Sequence, residues 1–143
     1  MSDIILENND MCFGCGKNNK CGLKLVPEYK EDHTECEIIF EEIYQGWKNI
    51  VHGGIISTVM DETMFFEMQR NKHYGVTYLI NVKFKKPAIV GEKYVCKAYL
   101  KKEKGHLIYL NSILTNSKNE KIAIAKATFY KIYENYSIAD KKS

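Results

Sequence analysis

The chain has 143 residues, of which 45% are hydrophobic and 27% are charged, and its formal net charge is +3 at pH 7. This length and composition predict one folded domain over residues 1–143 rather than a disordered chain. The small net charge and the scattered lysines argue against a nucleic-acid partner, and no apolar run reaches the roughly 20 residues that span a bilayer. The N-terminus lacks a signal-like apolar segment, so we expect a cytoplasmic protein without a membrane partner.

About the first 22 residues form a segment that contains three of the five cysteines. An odd number of cysteines without a secretion signal argues against a disulfide framework. The alternative is a zinc site in which Cys12, Cys15 and Cys21 bind the metal, with Cys36 or His33 as the fourth ligand. Such sites usually contain a second Cys-x-x-Cys pair, which this sequence lacks. We therefore expect buried thiols and no bound metal.

The apolar pattern changes period along the chain, which predicts the order of the elements. A short strand over residues 23–26 and a second over 34–40 precede a turn-rich loop over 41–51. A long helix follows over about 54–70, and its apolar side chains point in nearly every direction, which predicts a helix enclosed by protein. Four longer strands separated by turn residues are predicted over 76–86, 92–102, 106–116 and 120–132.

Small residues on the last strand indicate how the sheet and the helix pack. Ala123, Ala125 and Ala127 share one face of that strand, where small side chains let a sheet approach a helix and curl around it. Cys96 lies on the apolar face of an earlier strand and belongs to the predicted core. The order of strands, helix and further strands predicts an α+β fold.

A His-Gly-Gly turn stands directly before the long helix. Gly53 and Gly54 follow His52, and glycines let the backbone approach a ligand closely where a helix start leaves N–H groups unpaired. These groups and the positive end of the helix dipole suit an oxygen that gains negative charge. Asp61 lies seven residues beyond Gly54 among apolar neighbours. This setting favours a functional carboxylate over one that only bonds a neighbouring hydroxyl.

Three blocks of the sequence resemble the hotdog-fold acyl-CoA thioesterases, in particular the phenylacetate-pathway (PaaI-like) thioesterases and the mitochondrial thioesterase-superfamily proteins. The blocks are Cys-Phe-Gly-Cys-Gly at 12–16, Tyr-Gln-Gly-Trp at 44–47 with Asp61 nine positions after His52, and Asn-Val-Lys-Phe-Lys-Lys-Pro at 81–87. The resemblance implies a hotdog fold, in which a curved antiparallel sheet wraps around one long central helix. It also implies a homodimer or a dimer of dimers (homotetramer), with the active site between two protomers.

The resemblance implies hydrolysis of acyl-CoA thioesters to a free acid and CoA, without a cofactor. Gly53 or Gly54 would form the oxyanion hole, and Asp61 would act either as the general base for water or as the nucleophile. His52 would either orient the carbonyl or bond only to the backbone. Thr77 corresponds to a hydroxyl that in some relatives reaches the water from the opposite subunit.

Substrate contacts are also implied by the resemblance. We expect them from Gln45 and Gly46 in the loop before the helix, from Asn81, and from Lys85 and Lys86, whose charges suit the CoA phosphates. Several relatives carry a water-positioning asparagine six residues before the histidine, where this chain has glycine. That difference leaves the water-holding residue open.

Two other functions are considered for the same fold. A non-catalytic acyl-CoA-binding or regulatory hotdog protein is the main alternative, and the intact set of Gly53, Gly54 and Asp61 favours the enzyme over it. A hotdog dehydratase would need a histidine and an acid in another arrangement, which His52 does not resemble. Glu62 points about 100° away from Asp61 around the helix and is the less favoured catalyst. The sequence does not predict the acyl group.

Overall fold

A computed structural model describes residues 6–132 of the chain. Within this range, two short strands precede one long helix and four longer strands follow it. The elements are β1 (Glu28–Tyr29), β2 (Thr34–Ile39), α1 (Gly53–Arg70), β3 (Gly75–Phe84), β4 (Lys93–Lys104), β5 (Leu107–Asn116) and β6 (Lys121–Lys131). A 3-10 turn, Glu42–Tyr44, lies in the loop before α1. The predicted domain limits at residues 1 and 143 lie outside the described range.

The six described strands join in one antiparallel sheet. Their order across the sheet is β1-β2-β4-β5-β6-β3, so the strand that follows the helix pairs with β6 at the far edge. Helix α1 lies along the inner face of the sheet, mainly against β4 and β5. One antiparallel sheet packed on one long helix is the α+β architecture that the element order and the resemblance imply.

The hydrophobic core lies between α1 and the inner face of the sheet. Burial alternates with period two along β4 and β5, so every second side chain points into the core. Ala123, Ala125 and Ala127 are at most 4% exposed and belong to this core, as predicted for the small-residue face of β6. Cys96 is fully buried, which confirms its predicted place in the core.

The predicted strand over residues 23–26 is wrong. Lys24 has φ of 52°, in the left-handed region, and this conformation interrupts an extended run. The backbone N–H groups of Leu23 and Leu25 donate to the carbonyls of Phe13 and Gly14, at 2.8 and 2.9 Å. The segment therefore closes onto the N-terminal loop, and the first strand of the sheet, β1, begins further along the chain.

The prediction of an enclosed helix holds for one face of α1 only. Eight residues of the helix are buried against the sheet. The opposite face carries Gly54, Thr58, Asp61, Glu62 and Phe65, all of which are half-buried or exposed. Helices long and apolar enough to cross a membrane do not occur within residues 6–132. The open face of α1 is the part of the molecule that carries the candidate site.

Candidate active site

His52 is the N-cap of α1. Its backbone is extended, with φ −61° and ψ 133°, and its imidazole Nδ1 accepts the backbone N–H of Gly54 at 2.9 Å. Its carbonyl accepts the N–H groups of Ile55 and Ile56 at 3.0 and 3.2 Å. A side-chain acceptor at this position satisfies a donor that the helix itself leaves unpaired. In the structure His52 therefore forms the backbone hydrogen bond that was one of its two expected roles.

The two glycines after His52 differ in what their N–H groups contact. The N–H of Gly54 donates a hydrogen bond to the imidazole Nδ1 of His52. The N–H of Gly53 has no hydrogen-bond partner within residues 6–132. A Cβ added at Gly53 would lie 3.4 Å from Cζ of Phe84, so an aromatic ring stands beside this free donor. Phe84 was not among the predicted site residues, although it lies between the lysines of the third sequence block.

Asp61 lies two turns further along the helix and is bonded to Thr77. The Thr77 hydroxyl donates to Oδ1 of Asp61 at 2.8 Å, and both residues belong to the same chain rather than to opposite subunits. Burial raises the pKa of the Asp61 carboxyl, and the hydrogen bond from Thr77 opposes part of that rise. Oδ2 of Asp61 has no hydrogen-bond partner in the described part of the chain, so it is free for a water or a substrate.

A β-bulge in β3 aims Thr77 at the helix. The pairing register shifts between Thr77 and Leu79. Two residues are traversed along β3 while only one is traversed along β6, from Phe129 to Thr128. Before the bulge, Thr77 is paired with the buried Phe129, and after it Ile80 and Val82 pack against the core. Without the extra residue, strict alternation would put Thr77 on the same outer face as Leu79. Alternation read from the sequence cannot show this change of side.

The predicted substrate-binding residues fall in three places. Oε1 of Gln45 accepts the backbone N–H of Asn49 at 2.9 Å and closes the loop before α1. Gly46 packs on His52, since a Cβ there would lie 3.4 Å from its Cα. Asn81 lies on the outer face of the sheet, where a cavity of about 820 Å³ opens between four strands. The structure therefore does not bring Asn81 together with the open face of α1.

Lys85 and Lys86 directly follow Phe84 at the end of β3. Both are exposed, and the backbone N–H groups of both donate to the carbonyl of Ile122. The ammonium of Lys86 also pairs with Glu120. The two lysines therefore stand near the start of α1, which Phe84 contacts through Gly53.

Two of the three cysteines in the N-terminal segment, Cys12 and Cys15, lie next to Glu62. The Cys12 and Cys15 sulfurs and a Glu62 oxygen lie within 4.8 Å of one another, and among the described residues Cys21, Cys36 and His33 are not part of this group. Cys12 and Cys21 are exposed, so the expectation of buried thiols is wrong for both. Burial is the main cause that raises the pKa of the Glu62 carboxyl.

An apolar cavity of about 570 Å³ adjoins this cluster. It lies between the N-terminal segment and the open face of α1, and Leu25, Val26, Phe65 and Phe66 contribute apolar walls while Glu62 contributes a carboxylate. Phe65 is one helical turn beyond Asp61. The cavity is therefore placed to hold an apolar group near the Asp61 face.

Glu67 is the third carboxylate of α1, and it was not identified from the sequence. It is only 1% exposed, yet it accepts from Nε of Arg70 at 2.5 Å and from the Thr34 hydroxyl at 3.2 Å. The spacing of three residues between Glu67 and Arg70 is a signal that could have identified the pair. Because the side chain is buried and its Oε1 accepts from both partners, Glu67 has a structural role.

Comparison with known proteins places the chain in a family. The family model of the thioesterase superfamily matches residues 48–123. A putative esterase from Archaeoglobus fulgidus is 31% identical over 114 residues, which cover 78% of this chain and 72% of that one. Acyl-coenzyme A thioesterase 13 from Mus musculus is 29% identical over 89 residues, or 61% of this chain and 64% of that one. The chain belongs to the thioesterase superfamily.

Solved structures share the fold. Thioesterase superfamily member 2 from Mus musculus is 24% identical, with a TM-score of 0.68 over 74% of this chain and 86% of that one. The Escherichia coli PaaI protein is 11% identical, with a TM-score of 0.68 over 74% and 80% of the two chains. A hypothetical thioesterase from Streptococcus pneumoniae is 15% identical, with a TM-score of 0.71 over 75% and 87%. These similarities confirm the hotdog fold, and at this level of identity they establish the fold alone.

Proposed function

We propose that the protein is a thioesterase that hydrolyses acyl-CoA thioesters to a free acid and CoA, in a site formed between two copies of the chain. The observation that carries the proposal is the Asp61–Thr77 hydrogen bond on the open face of α1, which holds a carboxylate one helical turn from Phe65 in the wall of an apolar cavity. Membership of the thioesterase superfamily supports the reaction class. We add to this class the acyl-CoA substrate and a role for each residue of the site.

The oxyanion hole is assigned to Gly53 rather than to Gly54. The thioester oxygen accepts the free N–H of Gly53 at the positive end of α1, where the negative charge of the tetrahedral state is stabilised. The N–H of Gly54 is already bonded to His52. His52 is then a positioning residue, because its imidazole fixes the first turn of the helix from which Gly53 donates.

Asp61 supplies the second catalytic group. Its Oδ2 either takes a proton from the attacking water or attacks the carbonyl carbon to form an anhydride. Thr77 holds the other carboxylate oxygen and fixes the side chain in both routes. A pKa raised by burial makes the carboxylate a stronger base than an exposed aspartate.

The length of the helix between these groups supports a site built from two copies of the chain. Gly53 and Asp61 are eight residues apart, which is about 12 Å along the axis at 1.5 Å per residue. A carbonyl oxygen and its carbon are only about 1.2 Å apart. Gly53 of one protomer and Asp61 of its partner can meet at one thioester if two helices face each other. Strand β3 supports this pairing, because it ends the sheet and exposes Tyr78, Leu79 and Phe84.

Relatives with bound ligands support the choice of CoA. A Streptococcus mutans protein of this fold was solved with acetyl CoA, and the Streptococcus pneumoniae protein was solved with coenzyme A. The latter was also solved as alanine variants of an aspartate and a threonine that are sixteen residues apart, the separation of Asp61 and Thr77 here. In this chain Lys85 and Lys86 are the cations proposed to meet the CoA phosphates near Gly53.

The test is hydrolysis of a panel of acyl-CoA esters, followed with a thiol-detecting reagent. We expect turnover by the wild-type chain and a loss of about a hundredfold or more in Asp61→Asn, the scale of losing a general base or nucleophile. Circular dichroism and Tm should show that the variant folds. Near wild-type turnover in Asp61→Asn would refute the assignment. Saturable acyl-CoA binding without turnover would favour the non-catalytic alternative.

A further inference from the structure

The N-terminal loop is held in a fixed conformation around Glu62. The N–H of Gly16 donates to the carbonyl of Cys12 at 2.8 Å, and that of Asn18 donates to the carbonyl of Asp10 at 2.9 Å. Hydrogen bonds from Leu23 and Leu25 to the same loop close its other side. The two thiols of the Cys-x-x-Cys sequence are therefore positioned by backbone bonds before any ligand binds.

Two glycines allow this loop to close. A Cβ at Gly16 would lie 2.4 Å from the backbone nitrogen of Cys12, a distance that a side chain cannot occupy. A Cβ at Gly14 would lie 2.7 Å from Cδ of Glu62, so the loop rests directly on that carboxylate. The Cys-Phe-Gly-Cys-Gly sequence thus brings two thiols against a residue that is fifty positions away from Cys12.

The distances in the cluster fit a tetrahedral metal. Zinc bonds of about 2.3 Å to sulfur and 2.0–2.2 Å to oxygen, at a tetrahedral angle, separate the two ligand atoms by about 3.5–3.7 Å. Cys12 Sγ and Glu62 Oε1 are 3.7 Å apart, and the Cys15 sulfur lies within 4.8 Å of both. Lysine, arginine and histidine residues of the described chain form no ion pair with Glu62, so the cluster combines a carboxylate and two thiols without a cation.

We propose that Cys12, Cys15 and Glu62 bind a zinc ion, with water as the fourth ligand. On binding, each thiol releases its proton to solvent, so two thiolates and one carboxylate face a divalent cation. The site goes beyond the proposed hydrolysis and does not depend on it. It also revises the expectation of no metal, which considered Cys21, Cys36 and His33 as further ligands but not Glu62. The ion would join the N-terminal segment to the helix and fix one wall of the apolar cavity.

The experiment measures metal binding by the whole chain under reducing conditions. Zinc in protein purified without added metal is determined by elemental analysis, and Co²⁺ is titrated into metal-free protein to detect thiolate-to-cobalt charge transfer. Cys12→Ser, Cys15→Ser and Glu62→Gln test the three ligands. Cys21→Ser is the matched control, because Cys21 is exposed in the same segment but lies outside the cluster.

We expect about one zinc per wild-type chain, a tetrahedral thiolate spectrum with Co²⁺, and a lower Tm after chelation. Each serine variant should weaken binding by about a hundredfold or more, Glu62→Gln should weaken it measurably, and Cys21→Ser should bind as the wild type does. Chelation of the wild type provides a test even if a variant fails to fold. Absence of stoichiometric binding by reduced wild-type protein, or equal binding by the cluster variants and Cys21→Ser, would overturn the proposal.

Discussion

Gly53 and Gly54 are adjacent and identical in type, but their N–H groups have different surroundings. The imidazole of His52 accepts the hydrogen of Gly54, whereas Gly53 keeps a free donor within the described chain. The sequence could identify the pair from its place before an apolar helix. It could not choose between the two, because the choice depends on the direction in which the His52 side chain turns.

Replacing Gly53 with proline tests this donor directly. Gly53 is the first residue of the helix, a position where proline is well tolerated, and ψ of 133° at His52 suits the residue before a proline. Gly53→Pro removes the N–H and should lower kcat by about 100-fold or more, the cost of losing an oxyanion donor. Gly53→Ala is the control, because it adds a Cβ beside Phe84 but keeps the N–H. Equal losses in the two variants would point to crowding instead.

Substitution of Glu67 should lower stability and leave turnover unchanged, the reverse of the effect expected for Asp61. Its carboxylate is buried and paired with Arg70, so Glu67→Gln weakens a buried ion pair and should destabilise the fold by about 2–4 kcal/mol. Turnover per folded molecule should stay close to the wild type, since the side chain does not reach the open face of α1. Urea denaturation and kcat/KM measured on the same preparations separate the two effects. A large fall in kcat/KM with unchanged stability would contradict the structural role.

The helix and the four long strands could be predicted from the sequence, because each has a sustained apolar period and a clear turn. The turn residues Gly91, Gly105 and Asn119 all adopt positive φ, as glycine and asparagine do most readily. The strand over 23–26 was misassigned because the left-handed conformation of Lys24 depends on contacts with the N-terminal loop.

The bulge in β3 and the cysteine cluster could not be predicted, for a common reason. A bulge changes which side a residue faces without changing the local apolar pattern, so periodicity does not indicate that Thr77 turns towards Asp61. The contact between Cys12 and Glu62 joins positions fifty residues apart. Both features depend on how elements pack, and periodicity within one element does not contain that information.

Glu103 links three parts of the fold, and its contribution should depend on pH. Its carboxylate accepts a hydrogen bond from the Lys131 ammonium of β6 at 2.8 Å. It also contacts Nε2 of His73, which follows α1, at 2.5 Å. The hydrogen bond from Lys131 is the largest cause, and His73 the next, that lowers the pKa of Glu103 below the ordinary 4.5. The carboxylate therefore stabilises the fold above that value, and this contribution is lost as the pH falls through the lowered pKa.

The measurement is Tm as a function of pH for Glu103→Gln and the wild type. We expect the variant to melt about 1–4 °C lower at pH 7, with the difference disappearing under acid conditions in which the wild-type carboxyl is protonated. Glu31→Gln, a change at an exposed glutamate, is the control and should leave Tm unchanged. A difference that persists unchanged in acid would show that the charge of Glu103 is not the cause.

At the scale of the whole molecule, the two proposed catalytic groups, Gly53 and Asp61, lie at different positions along the axis of α1. Gly53 and Asp61 are eight positions apart, or about 12 Å along the helix axis, and this separation favours a site in which they come from different chains. A complete site would combine Gly53 of one protomer with Asp61 of its partner. Each dimer would then contain two equivalent sites, each built from both chains.

Intersubunit complementation tests this central claim most directly. Gly53→Pro and Asp61→Asn chains carrying different affinity tags are coexpressed, and the mixed dimer is purified through both tags. One of its two sites then combines an intact Gly53 with an intact Asp61, and the other site carries both changes. We predict that the mixed dimer recovers about half of the wild-type acyl-CoA turnover, while each parent dimer retains about 1% or less. A mixed dimer no more active than its parents would contradict a site shared between two chains.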